Sequence, residues 1–133
     1  MKESPMRSRD KALQSLYEME INIDKHLIKT LKSREDIGRF CQDLIIGVID
    51  NIKELDTKLA PHLDRSIGSL DLIEKNVLRI ATYELVFNKD LDHPIVINEA
   101  IRLSKKYGAK DSYKYINAIL DKMTKVDNLK SHN

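Results

Sequence analysis

Asp71-Leu72-Ile73-Glu74-Lys75-Asn76-Val77-Leu78-Arg79-Ile80-Ala81-Thr82-Tyr83-Glu84-Leu85-Val86 is the stretch that sets the fold class of this chain. Asp71 and Glu74 have the three-residue spacing of a capping box, in which side-chain oxygens satisfy the first free N–H groups of a helix. Behind them Ile73, Val77, Leu78, Ile80, Ala81, Leu85 and Val86 recur at steps of three and four, yet they spread over more than one side of the helix. A helix that is apolar on several sides has to be covered on several sides. This one is therefore predicted to lie at the centre of the molecule, with other helices around it.

The flanking sequence supplies those helices. After a loop through Asn88 to His93, Pro94 opens a helix to about Tyr107, with Ile97, Ala100, Ile101 and Leu103 inward and Gly108 as its stop. Asp111 and Ser112 are caps for a last helix whose stripe is Ile116, Ile119, Leu120 and Met123; beyond Lys125 the tail is expected to fray. Upstream, Ser33 and Asp36 have capping-box spacing before one long helix carrying Ile37, Phe40, Cys41, Leu44, Ile45, Val48, Ile52, Leu55 and Leu59, ended by Pro61. Leu27, Ile28 and Leu31 suggest a short helix. A first helix runs from about residue 7 to residue 21 with Ala12, Leu13, Leu16 and Tyr17 on its apolar face and Pro5 before its first turn. The prediction is an all-α fold, a compact bundle of six or seven helices in one domain over residues 1–133. Helices over about 7–60 and about 71–125 could form two small sub-bundles that meet near residues 61–68.

Composition agrees. In 133 residues there are only four glycines and three prolines, too few turn-formers for a sandwich or barrel, while 41% hydrophobic residues can fill one core. No apolar run approaches the roughly 20 residues a membrane-crossing helix needs. Met1-Lys2-Glu3-Ser4-Pro5-Met6-Arg7 has no apolar stretch behind its charges, so no secretory signal is read and a cytoplasmic location is expected. The single cysteine, Cys41, allows no internal disulfide and reads as a small core hydrophobe.

Catalytic signals are missing. The four histidines, His26, His62, His93 and His132, lie at least thirty positions apart without metal-ligand spacing, and no GxxxxGK[ST], GxGxxG or GxSxG is present. No cofactor and no metal are expected. Glu84 and Glu99, on otherwise apolar helices, read as partners in a structural ion pair, with Arg79 expected to pair with one of them. What stands out is one basic end: residues 102–130 hold eight Lys/Arg against three Asp/Glu, although the whole chain is only +2. There Lys105, Lys106, Lys110 and Lys114 interleave with Tyr107, Tyr113 and Tyr115, types that suit the phosphates and base faces of single-stranded RNA. The same pattern also fits an ordinary solvated face. Lys2, Arg7, Arg9 and Lys11 form a second basic group, which would join the first in one groove if the two ends meet.

Residues 73–85 together with Val96-Ile97-Asn98-Glu99-Ala100-Ile101, Tyr107-Gly108-Ala109-Lys110-Asp111-Ser112 and Tyr115-Ile116-Asn117-Ala118-Ile119-Leu120-Asp121-Lys122 resemble the bacterial antitermination factor family NusB. The opening Arg9-Asp10-Lys11-Ala12-Leu13-Gln14-Ser15-Leu16-Tyr17 is similar to that family's first helix. The resemblance implies an all-helical, non-catalytic protein that joins the small-subunit ribosomal protein NusE and grips boxA RNA in nascent ribosomal transcripts within the elongation complex. The fold also fronts some ribosomal RNA methyltransferases, but no following domain is seen, so the free-standing factor is expected. By position, the resemblance assigns Arg7, Arg9, Lys114 and Tyr115 to RNA, with Arg65, Asp111 and Ser112 as further candidates, the last two equally readable as caps. Tyr17 and Glu74 match the partner-facing positions, with an intramolecular pairing as the alternative. Two departures are visible: Pro5-Met6-Arg7-Ser8-Arg9 is a thinner arginine arm than the family's, and Asn117-Ala118 replaces a frequent Asn-Gly. A helical adaptor that binds protein without touching RNA, and a homodimer that hides the RNA face, are left open.

Overall fold

A computed structural model describes residues 5–21 and 38–126. Among them are six α-helices and no strand: α1 (Pro5–Ile21), α2 (Arg39–Asp50), α3 (Ile52–Leu59), α4 (Leu72–Phe87), α5 (His93–Tyr107) and α6 (Ser112–Val126). Two short 3₁₀ turns, Ala60–His62 and Ile67–Ser69, carry the chain from α3 to α4. The short helix expected around Leu27 to Leu31, the Ser33/Asp36 capping box and the tail after residue 126 lie outside the described residues.

The central place predicted for α4 is the observed one. It packs against α1, α2, α3, α5 and α6, and its Val77, Leu78, Ile80, Ala81 and Leu85 are all buried. At about 1.5–3 kcal/mol for each large apolar side chain taken from water, this one helix supplies much of the driving force for the bundle. A single core cluster runs from Ala12, Leu13 and Leu16 of α1 to Ile116, Leu120 and Met123 of α6, so both halves of the chain share α4 as their common wall. Gly47 of α2 lies where a Cβ would run into the Tyr83 ring of α4, and its missing side chain lets the two helices approach.

The long helix predicted over residues 37–59 is two helices. Asn51 leaves helical geometry (φ −122°, ψ 18°), its N–H bonds back to the Val48 carbonyl, and its Nδ2 donates to the Gly47 carbonyl at 2.7 Å. The side-chain amide covers a carbonyl that the break would otherwise expose. Periodicity did not reveal the break because Leu44, Ile45, Val48, Leu55 and Leu59, on either side of it, all reach the same core.

The caps of α4 and α5 are the local chemistry the sequence suggested, with one exception. Asp71 accepts from the Glu74 N–H at 2.7 Å, but the Glu74 carboxylate accepts from Ser112 Oγ at 3.0 Å, tying the starts of α4 and α6 together. Gly108 closes α5 without a positive φ: a Cβ there would press on the Ser104 carbonyl that its own N–H binds. The left-handed turn falls instead on Asp111 (φ 69°), directly before α6. Among non-glycine residues, Asp is one of those that tolerate this conformation best.

Candidate nucleic-acid interface

Glu84, which is buried, and Glu99, which is half-buried, share a cation from a different helix than the one expected. Arg9 of α1 forks onto Glu84 of α4, Nε to Oε1 at 2.7 Å and Nη2 to Oε2 at 2.8 Å, and its Nη1 reaches Glu99 Oε1 at 3.3 Å. Arg9 is 4% exposed and its guanidinium also lies 5.1 Å from the centre of the Phe40 ring. Burial lowers its pKa, but the hydrogen bonds and charges of Glu84 and Glu99 outweigh that and raise it. Arg9, expected at the RNA, is thus an internal clamp. Arg79, expected on Glu84 or Glu99, instead forks onto Asp56 at 2.9 and 2.8 Å and reaches Glu20 at 3.2 Å.

The network continues outward. Arg102 bridges Glu99 (3.0 Å) and Asp10 (2.6 Å), and Asp10 also accepts from Lys106 Nζ at 2.7 Å and Tyr107 Oη at 3.0 Å. Burial pushes the Asp10 carboxyl up, but these three donors prevail and hold it at about 2. Asp10 therefore seats α1 beside the last turns of α5, and this is where the two basic groups of the sequence adjoin. Arg7 is exposed three residues earlier, about 4.5 Å back along the helix.

The basic end itself is built where α5 finishes and α6 begins. Lys105 of α5 lies 4.6 Å from the centre of the Tyr113 ring, with Lys114 at 6.0 Å from the same ring. The Lys114 side chain is 65% exposed and lies 3.5 Å from Asp111. On the other side of α6's first turn, Arg65 stacks over Tyr115 at 4.7 Å. Asp64 ties that pair together, its Oδ1 accepting from Tyr115 Oη at 3.0 Å and from Arg65 Nε at 3.2 Å. These bonds, Tyr115's foremost, draw the Asp64 carboxyl below its ordinary value. Burial, then Asp64, raises the Tyr115 phenol.

Of the residues singled out in the sequence, Arg65, Asp111, Lys114 and Tyr115 are thus brought together around the start of α6. Ser112 sits among them but is buried, with its hydroxyl spent on Glu74. Glu74 has the intramolecular partner that was one of its two readings, and Tyr17 is half-buried on α1. Sequence reasoning missed Asp64 as the tie between Arg65 and Tyr115, and Lys105 as the cation on Tyr113. The only signal was the interleaving of lysines with tyrosines, which says nothing of which pairs meet. Among the described residues no cluster of three metal-ligating side chains occurs, and no helix is long and apolar enough to cross a membrane.

Helices wrapped around a central one, with cations set against tyrosine rings at one end, define an all-helical domain with a cationic, aromatic-bearing end. The model of the NusB family matches residues 6–125. The chain is 39% identical over 123 residues to the transcription antitermination protein NusB of Xanthomonas axonopodis pv. citri, covering 87% of this chain and 77% of that protein. It is 38% identical over 126 residues to its counterpart from Pseudoalteromonas translucida, covering 90% and 92%. Among solved structures, T. maritima NusB superposes with a TM-score of 0.83 at 32% identity, over 94% of this chain and 93% of that one. A chain of the crystal structure of antitermination factors NusB and NusE in complex with double-stranded RNA gives 0.78 at 26% identity, over 91% and 96%. The chain belongs to the NusB family of non-enzymatic transcription antitermination factors.

Proposed function

We propose that this chain works as the RNA-binding half of a heterodimer with a NusE-type ribosomal protein, gripping a boxA-type element of nascent ribosomal RNA in the cytoplasmic elongation complex. The observation that carries this reading is the start of α6, where Arg65 on Tyr115 and Lys105 on Tyr113 flank an exposed Lys114. Phosphates meet cations there and unpaired bases meet ring faces, which is how single-stranded RNA is held. Support also comes from the similar structure in which NusB and NusE are bound to RNA, there double-stranded. Arg7, exposed at the start of α1, extends the cationic surface, while Arg9 and Ser112 serve the fold.

The test is fluorescence anisotropy of a boxA-type RNA oligonucleotide titrated with the protein alone and then with its NusE-type partner, at two salt concentrations and against the same sequence as a duplex. Neutralising about four phosphates of a single strand makes affinity fall roughly 50-fold between about 50 and 200 mM salt. Tight, salt-sensitive binding of the single strand by the heterodimer is the expected result. Association of the two proteins with no RNA binding would leave a protein-binding adaptor.

A further inference from the structure

Tyr113 and Tyr115 are two positions apart on α6, which sets them about 200° apart around the helix axis with Lys114 between them. Tyr115 turns to the chain entering α4, where Arg65 covers it at 4.7 Å; Tyr113 turns to the end of α5, where Lys105 stands over it at 4.6 Å. Each side of the first turn of α6 thus carries the same pair, a half-buried aromatic ring with a cation against it. A nucleotide answers both members of such a pair, its base lying on the ring or on the flat guanidinium and its phosphate meeting the cation. Lys114, whose side chain is 65% exposed, stands between the two pairs and is within 6.0 Å of the Tyr113 ring.

We propose that Tyr113 is a second base-stacking platform and that a single RNA strand crosses the first turn of α6, from Arg65 and Tyr115 to Lys105 and Tyr113, with Lys114 taking a phosphate between the two stacked bases. This rests on the RNA-binding reading above. It adds to it the path of the strand over the first turn of α6 and a separate base for each of the two rings. Because aromatic stacking accepts any base, Tyr113 contributes affinity rather than base choice.

The experiment uses the heterodimer with its NusE-type partner and a labelled boxA-type RNA, comparing Tyr113→Ala, Tyr113→Phe, Tyr113→Leu and Tyr115→Ala. A second readout is the fluorescence of 2-aminopurine placed at successive positions, which stacking quenches. Tyr113→Ala and Tyr113→Leu are expected to weaken binding about tenfold without changing its salt dependence, while Tyr113→Phe stays within about twofold of the parent. Quenching should be lost at one position in the Tyr113 variants and at a different one in Tyr115→Ala. Tyr113→Leu fills the same half-buried space, so it reports on stacking even if Tyr113→Ala folds poorly. Parent-like affinity of Tyr113→Leu beside a weakened Tyr115→Ala would overturn the second platform and leave the RNA reading intact. A reduced salt slope in Tyr113→Leu would also overturn it, showing that the ring serves only to hold Lys105. Failure of the parent heterodimer to bind RNA would overturn both.

Discussion

Arg9 of α1 and Glu84 of α4 stand 75 residues apart in sequence and meet as a two-pronged ion pair, 2.7 and 2.8 Å long, with side chains 5% and 1% exposed. Removing one partner of such a pair strands the other charge without water, at a cost of about 3–5 kcal/mol, whereas replacing both by apolar groups of similar size is often neutral or stabilising. Arg9→Ala is therefore expected to lower the free energy of unfolding in urea by about that amount. Arg9→Met with Glu84→Leu should recover most of it. Because Arg9 points inward, the recovered double variant should bind RNA with the salt dependence of the parent; a shallower slope would return Arg9 to the RNA surface.

The next layer of the same network makes stability depend on pH. Asp10 has its folded pKa lowered from 3.8 to about 2, so its contribution is fully present above the unfolded value and is lost as pH falls from about 4 through about 2. Water reaches the Lys106 side of the cluster, where the lysine side chain is 56% exposed, which reduces the contribution to roughly 1–2 kcal/mol. Urea titrations at about pH 6, 4 and 2.5 should show this acid loss, and Asp10→Asn should flatten it. An unaltered acid limb in Asp10→Asn would assign the loss to other carboxylates.

Helices α4, α5 and α6 were legible in the sequence because their signals are local: Asp71 caps, Gly108 stops, and the stripe Ile116, Ile119, Leu120 and Met123 repeats on one face. The break at Asn51 was not, since the apolar faces before and after it point to one core. The partner of Glu84 was illegible for a different reason. Arg79 was the expected partner, and only the packing of the start of α1 on the end of α4 selects Arg9. At the candidate interface, composition showed that lysines and tyrosines share a segment. That Arg65, fifty positions earlier, lies on Tyr115 is a property of the connection between α3 and α4 and leaves no trace in the spacing.

Gly47 of α2 lies directly against the Tyr83 ring of α4. Inside a helix, alanine in place of glycine ordinarily gains about 1 kcal/mol. Here the added Cβ would overlap the Tyr83 ring, so Gly47→Ala is expected to destabilise by about 1–2 kcal/mol, the loss being limited because Tyr83 is partly exposed and can swing outward. Thermal unfolding of Gly47→Ala in a Tyr83→Ala background should show the penalty removed. A penalty of equal size in both backgrounds would place the strain elsewhere.

Glu74 joins two roles that variants can separate. Its carboxylate accepts from the buried Ser112 hydroxyl and lies in the first turn of α4, where negative charge is favoured. Glu74→Ala should cost about 1–2 kcal/mol of stability. As a position expected to face the NusE-type partner, it should also weaken that complex more than it weakens RNA binding by the preformed heterodimer. Ser112→Ala keeps the carboxylate while removing the internal bond, so it should bind the partner as the parent does. Equal partner affinity in all three proteins, measured by calorimetry, would remove Glu74 from the interface.

Lys114 and Lys105 distinguish an RNA-binding surface from a solvated one most directly. Each phosphate contact on a single strand contributes about 0.7 to the slope of log affinity against log salt. Lys114→Gln should therefore make the slope shallower by about that much, and Lys105→Gln by a similar amount, the two adding in the double variant. Stability should hardly move, because Lys114 is 65% exposed and its pairing with Asp111 at 3.5 Å is a surface interaction. Fluorescence anisotropy of the heterodimer across a salt series measures the slope directly. Unchanged slopes in all three variants, with RNA still bound, would move the phosphate track off the start of α6 and onto the exposed basic residues of α1, beside the end of α5.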